Sequence, residues 1–463
     1  MKYIFILIFI FPCFISLAQN HIQEINIQST GIAGNNDNLP FWLLHNQSGK
    51  YSNSASWQEL TEGKLFGNVR MSEKLNLSYG ADLCFLASEN GVDAKIIQAY
   101  TGISGNILSV KAGAFADDEI FGGLSSGNGN IVRSLDHRPY PMVRLSTPGF
   151  IPFLFAHKWF RFKAEYDEGL LCDNRIVNHP HLHHKSLELQ FLTGKSFRIT
   201  AGMDHYVFWG GTLSDGTRLP YKLNDYFRYI LGRKGNSDFL ETDQINIAGN
   251  QLGAYLIAAE KDFEQCQLQM RISHPFEDLS GIRMTNFRDN LYSLFIQRKE
   301  THTLFNAVLV EFIYSKNQSG SVHWMGAGKH KRGRDNYFNH GVYQTGFSYH
   351  GYSLGTPLFF PMTKNEEGTI TGFENNRISA FHAGAKGYLS SQLEWKALLT
   401  LSRNFGTYDN PYSPMRRQCY SLLNFRWKSP KYPICISTHL AADSGDLVSG
   451  KWGLGVGLEW TIR

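Results

Sequence analysis

The sequence has little net charge and few cysteines, and both shortages narrow the choice of protein class. The formal net charge is +5 over 463 residues with histidine counted as neutral, which is too weak a bias to indicate nucleic-acid binding. Six cysteines occur, the first of them near the N-terminus, and no CxxC pair is present. The other five are widely spaced, which excludes a disulfide framework and argues against a structural zinc site. They are Cys84, Cys172, Cys266, Cys419 and Cys435.

After its first residues the chain also lacks any apolar run of the ~20 residues that a membrane-spanning helix needs. At the N-terminus, Lys2 precedes an apolar stretch that ends at Ser16-Leu17-Ala18. This small-residue pattern predicts cleavage before Gln19. We therefore expect residues 1–18 to be a signal peptide. If residues 19–463 cross a membrane, they must do so as strands.

Strict alternation of apolar and polar residues is what the chain has instead. From Phe160 to Asp167, apolar side chains alternate with charged ones, and a period of two places them on opposite faces of a strand. Leu75–Phe85 and Trp452–Ile462 repeat the pattern, and no helical section is evident. At roughly 25 residues per strand and connection, the mature chain predicts about 16–18 strands. We expect an all-β fold, in which residues 19–463 form a single transmembrane antiparallel β-barrel in the outer membrane of a Gram-negative bacterium.

One stretch departs from this alternation. Residues 211 to about 244 are polar and rich in turn-forming residues. We interpret the stretch as a long loop. Long loops of outer-membrane barrels lie on the extracellular side.

No motif of an enzyme stands out. The nucleophile motif GxSxG is absent. Acidic clusters at Asp117–Glu119 and Glu165–Glu168 could supply the paired carboxylates of a glycosidase, or they could be solvated carboxylates of a loop or lumen. His179, His181 and His183 recur with a period of two, which could indicate a zinc or nickel site or a polar patch beside a turn. We favour the second interpretation of each cluster, and predict neither enzymatic activity nor a metal or other cofactor.

Four short motifs carry a resemblance to a known family: PFWLLHNQSG at 40–49, LSSG at Leu124–Gly127, RSLDHRPYP at Arg133–Pro141 and FEDLSG at 276–281. In these motifs the chain resembles the capsule-assembly Wzi family of Gram-negative outer-membrane proteins, from about Phe41 to the end. The resemblance implies a lectin-like barrel that holds capsular polysaccharide at the outer surface and is not an enzyme. Asp136 and His137 stand where relatives tend to have Asn and Ala, which changes the charge beside any bound glycan.

Two segments combine cations with aromatic side chains, and we take them as candidate polysaccharide-binding residues. Cations pair with phosphate or uronate groups, and aromatic faces stack on sugar rings. The alternative is a solvated loop that binds nothing. The candidates are Asp136, Arg138 and Tyr140 in the first segment, and Lys329, Lys331, Arg332, Arg334 and Tyr337 in the second.

The sequence leaves two main functions open, besides an outer-membrane hydrolase that would need a catalytic constellation which only a structure could reveal. The first is a non-enzymatic barrel that assembles or anchors capsular or other surface polysaccharide, and the second is a porin-like diffusion channel for small solutes. A lumen packed with large side chains favours the first, whereas an open lumen lined by charges favours the second. Either barrel implies outer-membrane lipid, lipopolysaccharide and the barrel assembly machinery as partners. We expect a monomer that binds no nucleic acid.

Overall fold

The computed structural model describes residues 21–153, 159–245, 247–277, 281, 283–322 and 333–462. Its main sheet has 19 hydrogen-bonded segments, all antiparallel. Two of these segments, Pro141–Ser146 and Ile151–Pro152, both pair with Phe160–Leu170 and together form one strand, so the barrel has 18 strands. The first strand pairs with both the second and the last, which closes the sheet. The expected antiparallel barrel of 16–18 strands is confirmed.

The strands are numbered in chain order. The first nine are β1 (His21–Gly34), β2 (Trp57–Ser72), β3 (Leu75–Ser88), β4 (Gly91–Ser104), β5 (Ser109–Ala114), β6 (Pro141–Ser146 with Ile151–Pro152), β7 (Phe160–Leu170), β8 (His181–Thr193) and β9 (Phe197–Trp209). The other nine are β10 (Asn250–Asp262), β11 (Cys266–Phe276), β12 (Asn290–Arg298), β13 (Ala307–Tyr314), β14 (Ile378–Tyr388), β15 (Leu393–Gly406), β16 (Pro411–Lys428), β17 (Ile434–Gly445) and β18 (Lys451–Ile462).

The alternation seen in the sequence separates the outer surface of the barrel from its lumen. On β3, Leu83 and Phe85 point outward and are 46% and 58% exposed, whereas Asp82 and Cys84 point inward and are buried. On β7 the charged set likewise faces the lumen, where Asp167 is fully buried. An apolar outer belt around a polar interior is the arrangement that a lipid bilayer requires.

The two ends of the barrel differ in the length of their connections. At one end, the short-turn rim, no connection exceeds eight residues. The other end, the long-loop rim, carries four long connections, namely 35–56, 115–140, 210–249 and 315–377. Outer-membrane barrels place short turns toward the periplasm and long loops toward the outside, so the long-loop rim is the extracellular end.

Three of the long connections fold back into the lumen, and we call them together the plug: 35–56, 115–140 and the described part of 315–377. The plug contains the helix α1 (Phe41–Leu44), a 3-10 turn (Phe121–Gly123) and two short hairpins built from Ser348–Tyr349 with Tyr352–Ser353 and from Met362–Lys364 with Ile370–Phe373. Its largest fully buried side chains are Phe115, Trp42, Leu124, Ile131, Tyr337, Phe338, Phe347 and Phe359. These side chains form a hydrophobic core inside the barrel, where a channel would have water.

The fourth long connection, 210–249, takes a different course. It contains the helices α2 (Leu223–Ile230) and α3 (Glu241–Ile245) and packs on the outer face of the barrel around Val207, Tyr229 and Phe239. The expected long loop is present, and it contains two helices that the sequence did not indicate, because tertiary packing stabilises helices too short to be stable alone. Within the described residues, no helix is long and apolar enough to span a membrane.

Candidate functional site

The plug is attached to the barrel wall by buried polar contacts. Ser125 and Ser126 of the LSSG motif both donate to Glu311 of β13, at 2.7 Å from each hydroxyl. The carbonyl of Leu124 lies 2.7 Å from Nε2 of His382 on β14. The LSSG motif thus fixes the second plug segment to two neighbouring strands.

Asp136 joins all three plug segments at one point. Its carboxylate lies 2.8 Å from Nδ1 of His45 and accepts hydrogen bonds from the backbone N–H groups of Asn46 at 2.9 Å and Ser353 at 3.0 Å. Asp136 is fully buried, so these contacts are not weakened by water. A carboxylate with three such partners holds the segments in a fixed arrangement.

Tyr337 has a comparable place in the third segment. It is fully buried, and its hydroxyl donates to Asp289 Oδ2 at 2.8 Å. The backbone N–H groups of Asn317 and Gln318 donate to the same carboxylate at 2.8 and 2.6 Å. Burial nevertheless raises the pKa of Asp289 to about 6. This carboxyl group therefore titrates close to neutral pH while it holds the plug to the loop before β12.

Members of both acidic clusters of the sequence meet His184 in a lumenal ion-pair network. Glu165, Asp167 and His184 place three potential metal-ligand atoms within 4.8 Å of one another, but arginines already occupy the carboxylates. Arg133 lies 2.9 Å from Glu165, Arg144 lies 2.7 Å from Asp167, and His184 contacts Asp167 at 2.9 Å. The network therefore joins Arg133 of the plug to Glu165 of the barrel wall.

The neighbouring histidines do not share one strand face. β8 begins at His181, so His179 lies outside the strand, with a positive φ of 50°. His181 stacks on Trp209 with ring centroids 4.4 Å apart, and His183 pairs with Glu168 at 2.7 Å. Only His181 and His183 follow the period of two within the strand. Each of these two rings already has a partner within the protein.

An open cleft lies at the long-loop rim where the three plug segments meet the hairpin of β3 and β4. Its volume is about 330 Å³. Lys95, Arg138 and Lys364 line it together with His350, and Asp93 is the carboxylate of its lining. Three cations against one carboxylate make the cleft electropositive, which attracts anions.

Arg138 is the group in this cleft that points most directly to a ligand. Its Nε is buried and has no hydrogen-bond partner among the described residues, although a buried donor without a partner is costly. Lys95 in contrast donates to the carbonyl of Lys50 at 2.6 Å. Burial, followed by the positive charge of Arg138, lowers the pKa of His350 to about 4. The ring of His350 is therefore neutral at pH 7 and leaves Arg138, Lys95 and Lys364 as the cations of the cleft.

Gly49, in the NQSG turn of the first plug segment, sets the position of Arg138. It has a φ of +59°, and a Cβ atom built there would lie 2.8 Å from the backbone nitrogen of Arg138. Glycine adopts this left-handed conformation without strain and leaves room for the close approach. The two motifs that the sequence showed separately, PFWLLHNQSG and RSLDHRPYP, thus touch at this point.

The candidate residues of the sequence lie in different environments. Arg138 lines the cleft, whereas Asp136, Tyr140 and Tyr337 are buried in the plug. Arg334 lies 2.6 Å from Asp409 in the β15–β16 turn. Lys329, Lys331 and Arg332 lie outside the described residues. Sequence reasoning missed Lys95, His350 and Lys364, because a cation in a strand or hairpin gives no sign of which loops will fold beside it.

Solved structures with the same fold are outer-membrane barrels. The chain is similar to Wzi, described as an outer-membrane protein involved in group 1 capsule assembly in Escherichia coli and a carbohydrate-binding β-barrel, with 13% identity, a TM-score of 0.55 and coverage of 94% of this chain and 83% of that one. It is also similar to OccAB2 of Acinetobacter baumannii, with 10% identity, a TM-score of 0.50 and coverage of 96% and 99%. The chain is an outer-membrane β-barrel.

The third similar structure is OccK3 (OpdO) of Pseudomonas aeruginosa, with 10% identity, a TM-score of 0.50 and coverage of 96% of each chain. No protein-family model and no curated protein sequence matches the chain. At such low identities the likeness concerns the fold of this barrel. The function of this barrel depends on its own lumen, plug and cleft.

Proposed function

We propose that this barrel is a non-enzymatic binding protein that holds an acidic capsular or other surface polysaccharide at the cell surface. The observation that carries the proposal is Arg138, which lines an electropositive cleft at the extracellular rim and whose buried Nε has no hydrogen-bond partner among the described residues. The similar barrel Wzi, described as carbohydrate-binding and involved in capsule assembly, agrees with this proposal.

The packed lumen supports binding over diffusion. Trp42 donates to Thr400 of β15 at 3.2 Å, and Phe41 stacks on Tyr420 of β16 with ring centroids 4.3 Å apart. These contacts join the first plug segment to the wall, as Glu311 and His382 join the second. A solute would have to displace side chains of a hydrophobic core, whose packing resists small rearrangements.

The chemistry of the cleft favours an acidic glycan. Guanidinium groups bind carboxylate and phosphate groups with two parallel hydrogen bonds, and Lys95 and Lys364 add two further positive charges. Each exposed ion pair contributes only ~0–1 kcal/mol. Retention of a polymer would therefore depend on many weak contacts along one chain, which raise its overall affinity by avidity.

The other candidate residues have supporting roles in this proposal. Asp136, Tyr140 and Tyr337 are buried and position the segments that form the cleft. Arg334 belongs to the third plug segment and pairs with Asp409, and Lys329, Lys331 and Arg332 stay sequence-based candidates for further contacts with the glycan. No catalytic step is proposed: the paired lumenal carboxylates Glu165 and Asp167 are held by arginines.

Binding of purified protein to an acidic polysaccharide tests the proposal. The triple variant Lys95→Gln, Arg138→Gln and Lys364→Gln should lose most binding, and raised salt should weaken binding by the wild type. The matched control removes three cations from the short-turn rim and should bind as the wild type does. It carries Lys74→Gln, Lys195→Gln and Lys431→Gln.

Cells that lack the protein provide a second test. Polysaccharide synthesis should continue while polymer moves from the cell surface into the medium. The triple cleft variant should release polymer in the same way, and the short-turn control should not. Equal binding by the wild type and the cleft variant would exclude the cleft as the glycan site.

A diffusion channel remains the second candidate, since OccAB2 and OccK3 share the fold and cavities of about 180 and 270 Å³ lie between plug and wall. Conductance in planar lipid bilayers separates the two functions. The filled lumen predicts closed, non-conducting protein. Steady single-channel currents in the wild type, together with an intact surface coat in cells that lack the protein, would contradict the binding proposal and support a diffusion channel.

A further inference from the structure

The helix α2 covers part of the lipid-facing wall near the extracellular rim. It lies over β7, β8 and β9, where Tyr226 contacts Trp209 with ring centroids 5.0 Å apart. Val207, on the outward face of β9, is fully buried beneath the same connection. The helix therefore replaces lipid as the neighbour of these strands.

The wall under α2 is polar, unlike the rest of the belt. Glu168, His183 and Lys185 all point outward on β7 and β8. Glu168 contacts His183 at 2.7 Å and accepts a hydrogen bond from the Tyr226 hydroxyl at 2.5 Å. Lys185 donates to the carbonyl of Ile230 at the end of the helix. Charged groups facing hydrocarbon are strongly unfavourable, so this patch requires α2 in its docked position.

The opposite face of α2 is apolar and uncovered. Leu223, Phe227 and Leu231 follow one another at intervals of four residues and are 70%, 48% and 54% exposed. Residues four apart form one stripe along a helix. The outward side chains of Leu187 and Ile257 below it are also exposed, so the stripe continues the lipid-facing belt of the barrel.

Five cations lie in or beside the helix in the chain: Arg218, Lys222, Arg228, Arg233 and Lys234. Arg228 donates to the carbonyl of Lys234 at 3.1 Å, and none of the five forms an ion pair with a carboxylate among the described residues. Asp225, the acid of the helix, is buried and accepts from the backbone nitrogen of Lys222 at 3.0 Å. An apolar stripe flanked by lysine and arginine is the pattern of a helix that lies in a membrane interface.

We propose that α2 is an interfacial helix that inserts Leu223, Phe227 and Leu231 into the outer leaflet, while the flanking cations bind the phosphate groups of its lipids. The partner is a phosphorylated lipid headgroup such as that of lipopolysaccharide. Continuity of the stripe with the lipid-facing belt identifies the membrane as the occupant of this face. The site is separate from the cleft, on the outer side of the barrel wall.

Photo-cross-linking in cells tests the apolar half of the proposal. A benzophenone amino acid at position 227 should cross-link to lipopolysaccharide, as should one at Ile96, a residue of β4 that is 57% exposed and pairs with the outward Leu83. The same probe at Tyr432, in a turn of the short-turn rim, should give no such product. Cross-linking from position 227 to a second copy of the chain, or to no lipid, overturns the proposal.

Retention of lipid A by purified protein tests the charged half. The variant Arg228→Gln, Arg233→Gln and Lys234→Gln should retain lipid A about fivefold less per cation removed, since cations beside an anionic membrane surface each contribute to affinity. The control variant of Lys74, Lys195 and Lys431 should retain it as the wild type does. Folding of each variant is checked by its heat-dependent gel mobility. Equal retention by the α2 variant and the control would contradict phosphate binding, even if α2 inserts into lipid.

Discussion

Asp136 offers a direct test of the plug, because one carboxylate joins its three segments. Replacing it with alanine removes the partner of the His45 ring and of two backbone N–H groups. Hydrogen bonds to a charged group contribute ~1.5–3 kcal/mol each, and removal of one partner of a buried pair costs ~3–5 kcal/mol. We therefore expect Asp136→Ala to lower the stability of the closed plug by about 3–5 kcal/mol.

Such a loss should be visible as ion conduction. A cost of about 3–5 kcal/mol makes open states on the order of 10²–10⁴-fold more frequent, so planar bilayers should show brief openings that the wild type lacks. Asp136→Asn keeps one acceptor oxygen and should give an intermediate effect. Asp93→Ala is the matched control at the same rim, since its carboxylate is exposed and 3.6 Å from Lys95.

The three contacts of Asp136 also predict a stability change that does not depend on conduction. Refolding from urea in detergent should show a lower midpoint for Asp136→Ala than for Asp93→Ala. An Asp136→Ala protein that conducts no ions and has the urea midpoint of the wild type would refute this role of Asp136 in the plug. It would mean that the hydrophobic core alone holds the three segments together.

Three further outcomes follow from the structure. Leu454→Arg places a charge on the outward face of β18 and should lower the folding stability by ~2–4 kcal/mol near the bilayer midplane. Gln28 lines a lumenal cavity, so Gln28→Arg should lower the stability far less. Equal losses of stability in refolding assays would contradict the assigned faces. The pKa of Asp289 is raised from 3.8 to about 6, so folding favours its protonated form. The free energy of unfolding of the wild type, relative to that of Asp289→Asn, should therefore be highest below pH 4 and fall by about 3 kcal/mol as the pH rises through 6. Urea titrations at several pH values check this, and a pH-independent difference would exclude it. Gly49→Ala should weaken glycan binding although it removes no charge, because its Cβ would meet the backbone of Arg138; unchanged affinity in a binding titration would separate Gly49 from the cleft.

The barrel could be predicted from sequence because its signal is local. Each strand must alternate to face lipid and lumen at once, so stretches such as Leu75–Phe85 and Trp452–Ile462 show their faces without any tertiary information. Chain length then limited the number of strands. The lumenal face of Glu165 and Asp167 could be identified in the same way, but the arginines that pair with them could not.

The plug and the cleft could not be predicted, because their contacts join segments far apart in the chain. Nothing in the sequence around Asp136 indicates that it meets Asn46 and Ser353. Arg138 was identified from its neighbours Pro139 and Tyr140, yet its environment depends on Gly49, about 90 residues earlier. The helix α2 was missed for a related reason: its polar, turn-rich flanks resemble a loop, and only the outward Glu168, His183 and Lys185 explain why it is there.

The attachment of the first plug segment constrains the order in which the protein can assemble. The backbone nitrogen of Phe41 donates to Asp443 of β17, a residue 402 positions later, and Trp42 reaches Thr400, 358 positions later. Such distant partners make the contact order high and folding slow. Residues 35–56 therefore wait, with their aromatic side chains unburied, until nearly the whole chain has been delivered. The seam between β1 and β18 and the core of the plug are completed together, in the last stage of assembly.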